Sequence, residues 1–364
     1  MQKHSMLKKS RLYCAVQTYK DELFFSLVDY RNSRFTSENL DKIIEFYGSF
    51  KNRDDLIEWM KERPKGVANI YEVEGDKEII VVITTADFNG KYAKECRENI
   101  FKGLHMIFVE SGGKEDFYFN FAHNSNLGIK KAMEYNPKWI VVSNDDMAKV
   151  DDVSKLTEGL RNIDCSSIDF VHSRVKGEYF VLYKENILFW AITLLFNSLV
   201  GRQNFEEEIK KRKIFRKFCV TLIWRSKFST NSHHLFDWLN NALLRRPVAE
   251  YRFSADFFVL SSKFVQNFGM RPYDDTFVNY AEDGLLNFLV SNNPAYRFAF
   301  IDYSISSLFN KIKGGTLGSG ICREFRGFAG DVYFNYVLEN YHDFYFHLKD
   351  NQCDPSLTSL SILR

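Results

Sequence analysis

"EIIVVITT", Glu78–Thr85, is the stretch that decides the fold. Seven of its residues are apolar or β-branched in an unbroken run. A strand with one wet face would alternate; this one reads as buried on both faces, as in a parallel sheet. Two more such runs follow, "LHMIFVES" (104–111) and "KWIVVS" (138–143). Between them lie helical patterns, "KYAKECRENIF" and "NLGIKKAMEYN", the second with Leu127, Ala132 and Met133 turned inward. "FYFNFAHN" between them reads as a short extended piece. Strands alternating with helices define βαβ units, and the expected class is α/β, a mostly parallel sheet with helices on both faces.

Outward from this core the pattern changes. Residues 1–75 read as an N-terminal α+β accessory module. In it "RLYCAVQTY" and "ELFFSLVDY" suggest a strand pair. "TSENLDKIIEFYGSF" is a helix capped by Thr36 or Ser37, and "RDDLIEWMKERP" is a helix stopped at Pro64. Downstream, 151–163 is helical, 166–175 and 249–261 are strands, and "DVYFNYVLENYHDFYFHLK" is an aromatic helix within a terminal unit, 326–364. The central domain spans 76–325 with a helical insert at 185–246.

Composition narrows the function classes. A net charge of +2 gives no global field toward nucleic acid, so no nucleic-acid partner is expected. Six cysteines without CxxC spacing point to reduced thiols rather than a zinc site or a disulfide framework, as in a cytoplasmic protein. The basic N-terminus lacks an apolar core behind it, so a signal peptide is not expected.

Three constellations carry chemistry. Asn144, Asp145 and Asp146 directly follow a buried strand, and ligands of open α/β sheets bind outside the carboxyl ends of strands. Adjacent carboxylates there suit Mg²⁺ or Mn²⁺, or else form a polar turn before the next helix. In "HNSNLGIKKAM", Asn126 can cap a helix, Gly128 allows close approach, and Lys130 and Lys131 can face phosphate; a plain capped helix with solvated lysines is the other reading. In "RPYDDTFVNYAEDGLLNFL", Asp274/Asp275 and Glu282/Asp283 flank an aromatic stretch. Glu282 and Asp283 are either first-turn carboxylates favoured by the helix dipole or hold a tuned general base.

In this order the pieces resemble the family 2 glycosyltransferases with the GT-A fold, over roughly residues 77–320. The match is most specific from Tyr273 to Leu286, through Asp274, Asp275, Phe277, Tyr280, Glu282 and Asp283. The resemblance implies an inverting transfer of a sugar from a nucleotide-diphosphate donor to a hydroxyl acceptor, a glycan or a lipid-linked molecule. A divalent cation would assist, with Asp146 and Asn144 as metal ligands and Asp145 between them. Asp283 would be the catalytic base, with Glu282 beside it. Thr84, Thr85, Asp87 and Glu110 would bind base and ribose, with Asn126, Gly128, Lys130 and Asp145 also on the donor side; Asp274, Asp275 and Tyr280 would face the acceptor. The family often has Pro in the first-strand motif, where Thr84-Thr85 stands here. Its late His is absent from "SISSLFNKIKGGTLGSG", where Asn310 or Lys311 would substitute. The alternative is a catalytically inactive sugar-nucleotide binder or scaffold of the same fold. A methyltransferase would need a GxGxG after the first strand, and "TTADFNG" is not one.

Within the insert, nine basic residues against three acidic run from Arg202 to Lys227, interleaved with Phe, Ile and Trp. This pattern suits peripheral contact of 185–228 with an anionic membrane at its inner face, with Trp190 and Trp224 at headgroup level; a buried helical subdomain is the alternative. His233 and His234 read as a polar pair at a helix start.

Overall fold

The computed structural model describes residues 29–111, 118–176, 183–184, 249–250, 256–291, 295–308 and 321–340. Most of the strand pair expected near the N-terminus, the insert 185–246 and the loop with Asn310 and Lys311 lie outside them.

The elements run α1 (Leu40–Gly48), α2 (Arg53–Glu62), β1 (Ala68–Val73), β2 (Asp76–Thr85), α3 (Lys91–Glu95), β3 (Leu104–Ser111), α4 (Phe121–Met133), β4 (Trp139–Asn144), β5 (Met147–Lys149) and α5 (Val153–Arg161). There follow β6 (Phe170–Lys176), β7 (Tyr183–Lys184), β8 (Ala249–Glu250), β9 (Phe257–Ser261), α6 (Ser262–Asn267), α7 (Glu282–Ser291), β10 (Phe298–Ser307) and α8 (Ile321–Glu339). A π turn, Cys96–Ile100, continues α3 and replaces the second half of the expected helix.

Eight strands form one sheet in the order β1-β3-β2-β4-β9-β6-β10-β5. The three buried runs are its parallel centre, β3-β2-β4. The sheet is mixed rather than mostly parallel. β9 enters antiparallel between β4 and β6, and β1 and β5 are antiparallel at the two edges. β6 and β10 pair in parallel.

The unbroken apolar run of β2 is explained by two cores. Ile80 and Val82 join Ile107, Val109, Ile140 and Val142 on one face, with α1, α2, α4, α6, α7 and α8. Ile79, Val81 and Ile83 join Met106, Phe108 and Val141 on the other, with α3 and α5. Helices thus cover both faces.

The expected division near residue 75 falls between two strands of one sheet. β1 pairs with β3, so the link to β2 must cross the start of β3. A Cβ on Gly75 would stand 2.3 Å from the Leu104 carbonyl carbon, and only glycine allows that crossing. Residues 29–35 are helical, so Asp29 and Tyr30 are not in a strand. α1 starts later than expected, capped by Asn39 rather than Thr36 or Ser37. It packs with α2 through Phe35, Phe46, Phe50 and Trp59, edge to face or tilted at 5.0–5.8 Å.

Candidate functional site

Register lines up the strand ends. Thr85 of β2 stands opposite Glu110 of β3, and Thr84 opposite Asn144 of β4. Alternation then divides the row. Thr85, Glu110 and Asp145 turn toward the α3 side; Thr84 and Asn144 turn toward α4.

On the α3 side, the Thr85 hydroxyl donates to Asp145 Oδ2 at 2.6 Å and accepts from the Asp87 amide at 3.2 Å. Burial pushes the Asp145 carboxyl above its usual range, with the Asp87 charge adding and the Thr85 bond opposing. Glu110 accepts from the Phe88 amide at 2.7 Å and from the Tyr71 hydroxyl at 3.4 Å. The Phe88 ring lies between Tyr71, stacked at 4.4 Å, and the Arg97 guanidinium at 4.3 Å. The Glu110 carboxylate therefore shapes the loop after β2. Asp87 is exposed there.

On the α4 side, the antiparallel entry of β9 delivers Asp256, which the sequence reading missed. Asn144 Nδ2 donates to Asp256 Oδ1 at 2.7 Å, and its backbone amide to the Asp256 carbonyl at 2.9 Å. Because a carboxylate only accepts, this bond fixes the Asn144 amide and turns Oδ1 toward the Thr84 hydroxyl, 3.4 Å away. Ser307 of β10 donates to Asp256 Oδ2. Burial, then the charges of Asp256 and Asp145, push Asp146 up to about 6. Among the described residues, no Lys or Arg pairs with Asp145 or Asp146.

Asp145 and Asp256 thus both bear on Asp146 at the end of β4, from opposite faces of the sheet. Among the described residues no group of three or more His, Cys, Asp or Glu is arranged to hold a metal ion. Mg²⁺ in phosphate chemistry uses one or two carboxylates and takes its other oxygens from water and phosphate. Asp146, with Asn144 Oδ1, fits that smaller donor set, and its raised pKa marks negative charge that a cation would offset.

The second acidic region is clamped to the start of α4. This helix begins at Phe121, capped by Asn120, whose Oδ1 accepts from the His123 amide at 2.9 Å. The second half of the segment expected to be extended, Phe121–Asn124, is therefore its first turn, and Asn126 is no cap. Its buried amide donates to the Tyr273 carbonyl at 2.8 Å and accepts from the Tyr273 amide at 3.2 Å. Asn120 Nδ2 holds the carbonyls of Asp275 and Phe277, and the Phe121 amide donates to Asn279 Oδ1 at 2.7 Å. Gly128 serves helix–sheet contact instead of a ligand; a Cβ there would stand 2.4 Å from Val82 Cγ1. Lys130 is exposed at the other end of α4, the end beside the strand starts. Its neighbour Lys131 binds Glu134 and Glu72 there.

Asp274 and Asp275 are held by the fold. Asp274 accepts from the Tyr333 hydroxyl of α8 at 2.7 Å and is pushed up by burial. Burial also opposes charge on Asp275, but His123, Lys65 and Arg271 outweigh it and lower its pKa. The Tyr280 ring packs over Gly327 and Gly330 of α8, where a Cβ would stand 2.8–3.2 Å from it. Its neighbours Asn279 and Ala281 are left-handed, with φ of 58° and 72°. Such strain in Ala is rare, and it falls directly before Glu282.

Glu282 is buried, and among the described residues Oε2 has no hydrogen-bond partner. Burial, then the Asp283 charge, push it to about 8. Asp283 is more open to solvent. Tyr273 connects this region to the first. Its ring meets Phe258 of β9 at 5.8 Å, and its hydroxyl is raised by burial and by Asp283 and Glu282. Phe258 lies two residues from Asp256 on the same strand face.

The structure thus brings Thr84, Thr85, Asp87, Glu110 and Asn144–Asp146 together, and ties Glu282 and Asp283 to the same sheet face as Asn144 and Asp256. It assigns Asn126 and Gly128 to packing and leaves Lys130 apart. No helix among the described residues is long and apolar enough to cross a membrane. No family model, no curated protein and no solved structure matches this chain.

Proposed function

We propose that this chain is an inverting glycosyltransferase of the GT-A kind, moving a sugar from a nucleotide-diphosphate donor to a hydroxyl acceptor. The observation that carries the reading is the row of Thr84, Thr85, Glu110, Asn144, Asp145 and Asp146 at the carboxyl ends of three parallel strands. Asp256 meets it from an antiparallel fourth. Ligands of open α/β sheets bind outside the carboxyl ends of strands whose connections leave toward opposite faces, as α3 after β2 and α4 after β3 do here. Asp87 and Thr84 lie where ribose and base would bind. Asp146 and Asn144 would hold Mg²⁺ or Mn²⁺, which when bound supplies positive charge beside the leaving diphosphate. Asp283 takes the proton of the acceptor hydroxyl. The hydroxyl oxygen attacks the anomeric carbon, the bond from that carbon to the diphosphate breaks, and configuration inverts. Glu282, protonated near neutral pH, keeps a second negative charge away from that base. The acceptor is a glycan or a lipid-linked molecule, reached on the cytoplasmic side.

Calorimetric titration of UDP and GDP, with and without Mn²⁺, tests the site. Mn²⁺-dependent binding to the wild type, lost in Asp146→Ala, is expected. Failure of both nucleotides to bind under any condition would refute the reading. Affinity for a nucleotide sugar without hydrolysis or transfer would instead mark an inactive binder of the same fold.

A further inference from the structure

β1 is an edge strand left bare. It pairs with β3 through all six residues, and among the described residues its other edge hydrogen-bonds to nothing. Natural edge strands are usually guarded by Lys, Pro or a bulge. "ANIYEV" contains neither residue, its one charge, Glu72, is engaged by His105, Tyr135 and Lys131, and its register against β3 is unbroken. Three large apolar side chains project here: Val67 is 72%, Ile70 40% and Tyr71 36% exposed. An exposed, apolar, unguarded edge is a template for another strand.

We propose that β1 pairs with β1 of a second copy of this chain, antiparallel about a two-fold axis through Ile70. The axis stands perpendicular to the sheet and keeps each face on its own side. Partners across it must therefore share a face, and only residue-centred registers are allowed. Centred on Ile70, the pairing sets Ile70 against Ile70, Asn69 against Tyr71, Ala68 against Glu72 and Val67 against Val73. Apolar side chains meet at the centre and near both ends, and no like charges oppose. Centred on Tyr71, it would set Ile70 against Glu72; centred on Glu72, it would set two carboxylates together. Centred on Asn69, it would pair only Ala68–Ile70 of the strand on both sides, whereas the Ile70 register pairs Ala68–Glu72 and sets an apolar pair on the axis.

This pairing does not depend on the transferase reading, and its test uses no substrate. Sedimentation velocity of the full chain, from micromolar to sub-millimolar concentration, should show a monomer–dimer equilibrium. Hydrogen exchange should slow at the β1 amides as the dimer forms. Ile70→Lys and Ile70→Glu, each alone, should weaken association by about tenfold or more. Their equimolar mixture should restore it, because residue 70 then meets an opposite charge. Residue 70 is exposed, so matched far-UV circular dichroism should show both variants folded. A chain monomeric throughout would overturn the proposal and leave the edge to an extended segment of another protein. So would a dimer indifferent to both substitutions, or one that the mixture does not restore.

Discussion

Two adjacent acidic pairs, Asp145-Asp146 and Glu282-Asp283, look alike in sequence and are treated differently by the fold. The first sits where strands end, so hydroxyls and amides of neighbouring strands reach it. Thr85 satisfies Asp145, and Asp146 rises only to about 6. The second opens α7, yet Glu282 faces a core and among the described residues has no partner for Oε2; it rises to about 8. Near neutral pH Glu282 holds its proton more tightly than Asp146 does. Strand ends create places for cations, whereas a helix start turned into a core creates a place for a neutral acid. The helix dipole, which favours charge at that start, is outweighed by burial.

The largest expected effect sharpens this division. Asp283→Asn should lower transfer by about 10²–10⁴-fold, the usual worth of a general base, with nucleotide affinity unchanged. Glu282→Gln should lose far less, because a neutral amide mimics the protonated acid. Equal losses in steady-state kinetics would break the comparison.

Next is Asn126→Leu, which removes both bonds to the Tyr273 backbone and leaves buried partners unmet. About 2–4 kcal/mol of stability should be lost in urea unfolding. Gly128→Ala should cost about 1–3 kcal/mol by overpacking against Val82, partly offset by better helix propensity.

Smaller is the pH effect. Glu282 binds its proton more tightly folded than unfolded, so its contribution is full below about 4.5 and is lost as pH rises toward about 8. Asp146 acts in the same sense between about 3.8 and about 6. Measured against Glu282→Gln and Asp146→Asn, the thermal stability of the metal-free wild type should therefore fall with rising pH through these windows. Glu282→Gln should flatten the upper one, and Asp146→Asn the lower. Lys130→Ala, away from both regions, should change stability by less than about 0.5 kcal/mol and leave nucleotide binding intact.

The parallel centre of the sheet was legible because burial on both faces writes itself as an unbroken apolar run. β1 was not, since its "ANIYEV" is largely solvated, and β10 was not, since "FAFIDYSISS" mixes polar groups into a partly covered strand. The strand-end residues of β2, β3 and β4 could be read because they follow those runs directly. Asp256 could not. It is one carboxylate before one apolar run, and its role comes from a pairing between distant segments. The cap at Asn120 was hidden by the aromatic residues around it, which read as one extended piece although the helix opens at Phe121.

That distant pairing also sets the order in which the site is completed. Asn144 and Asp256 are separated by 112 residues, so β2, β3 and β4 leave the ribosome well before Asp256 does. Asp145 and Asp146 would spend that interval without their third carboxylate, in a sheet ending at β4.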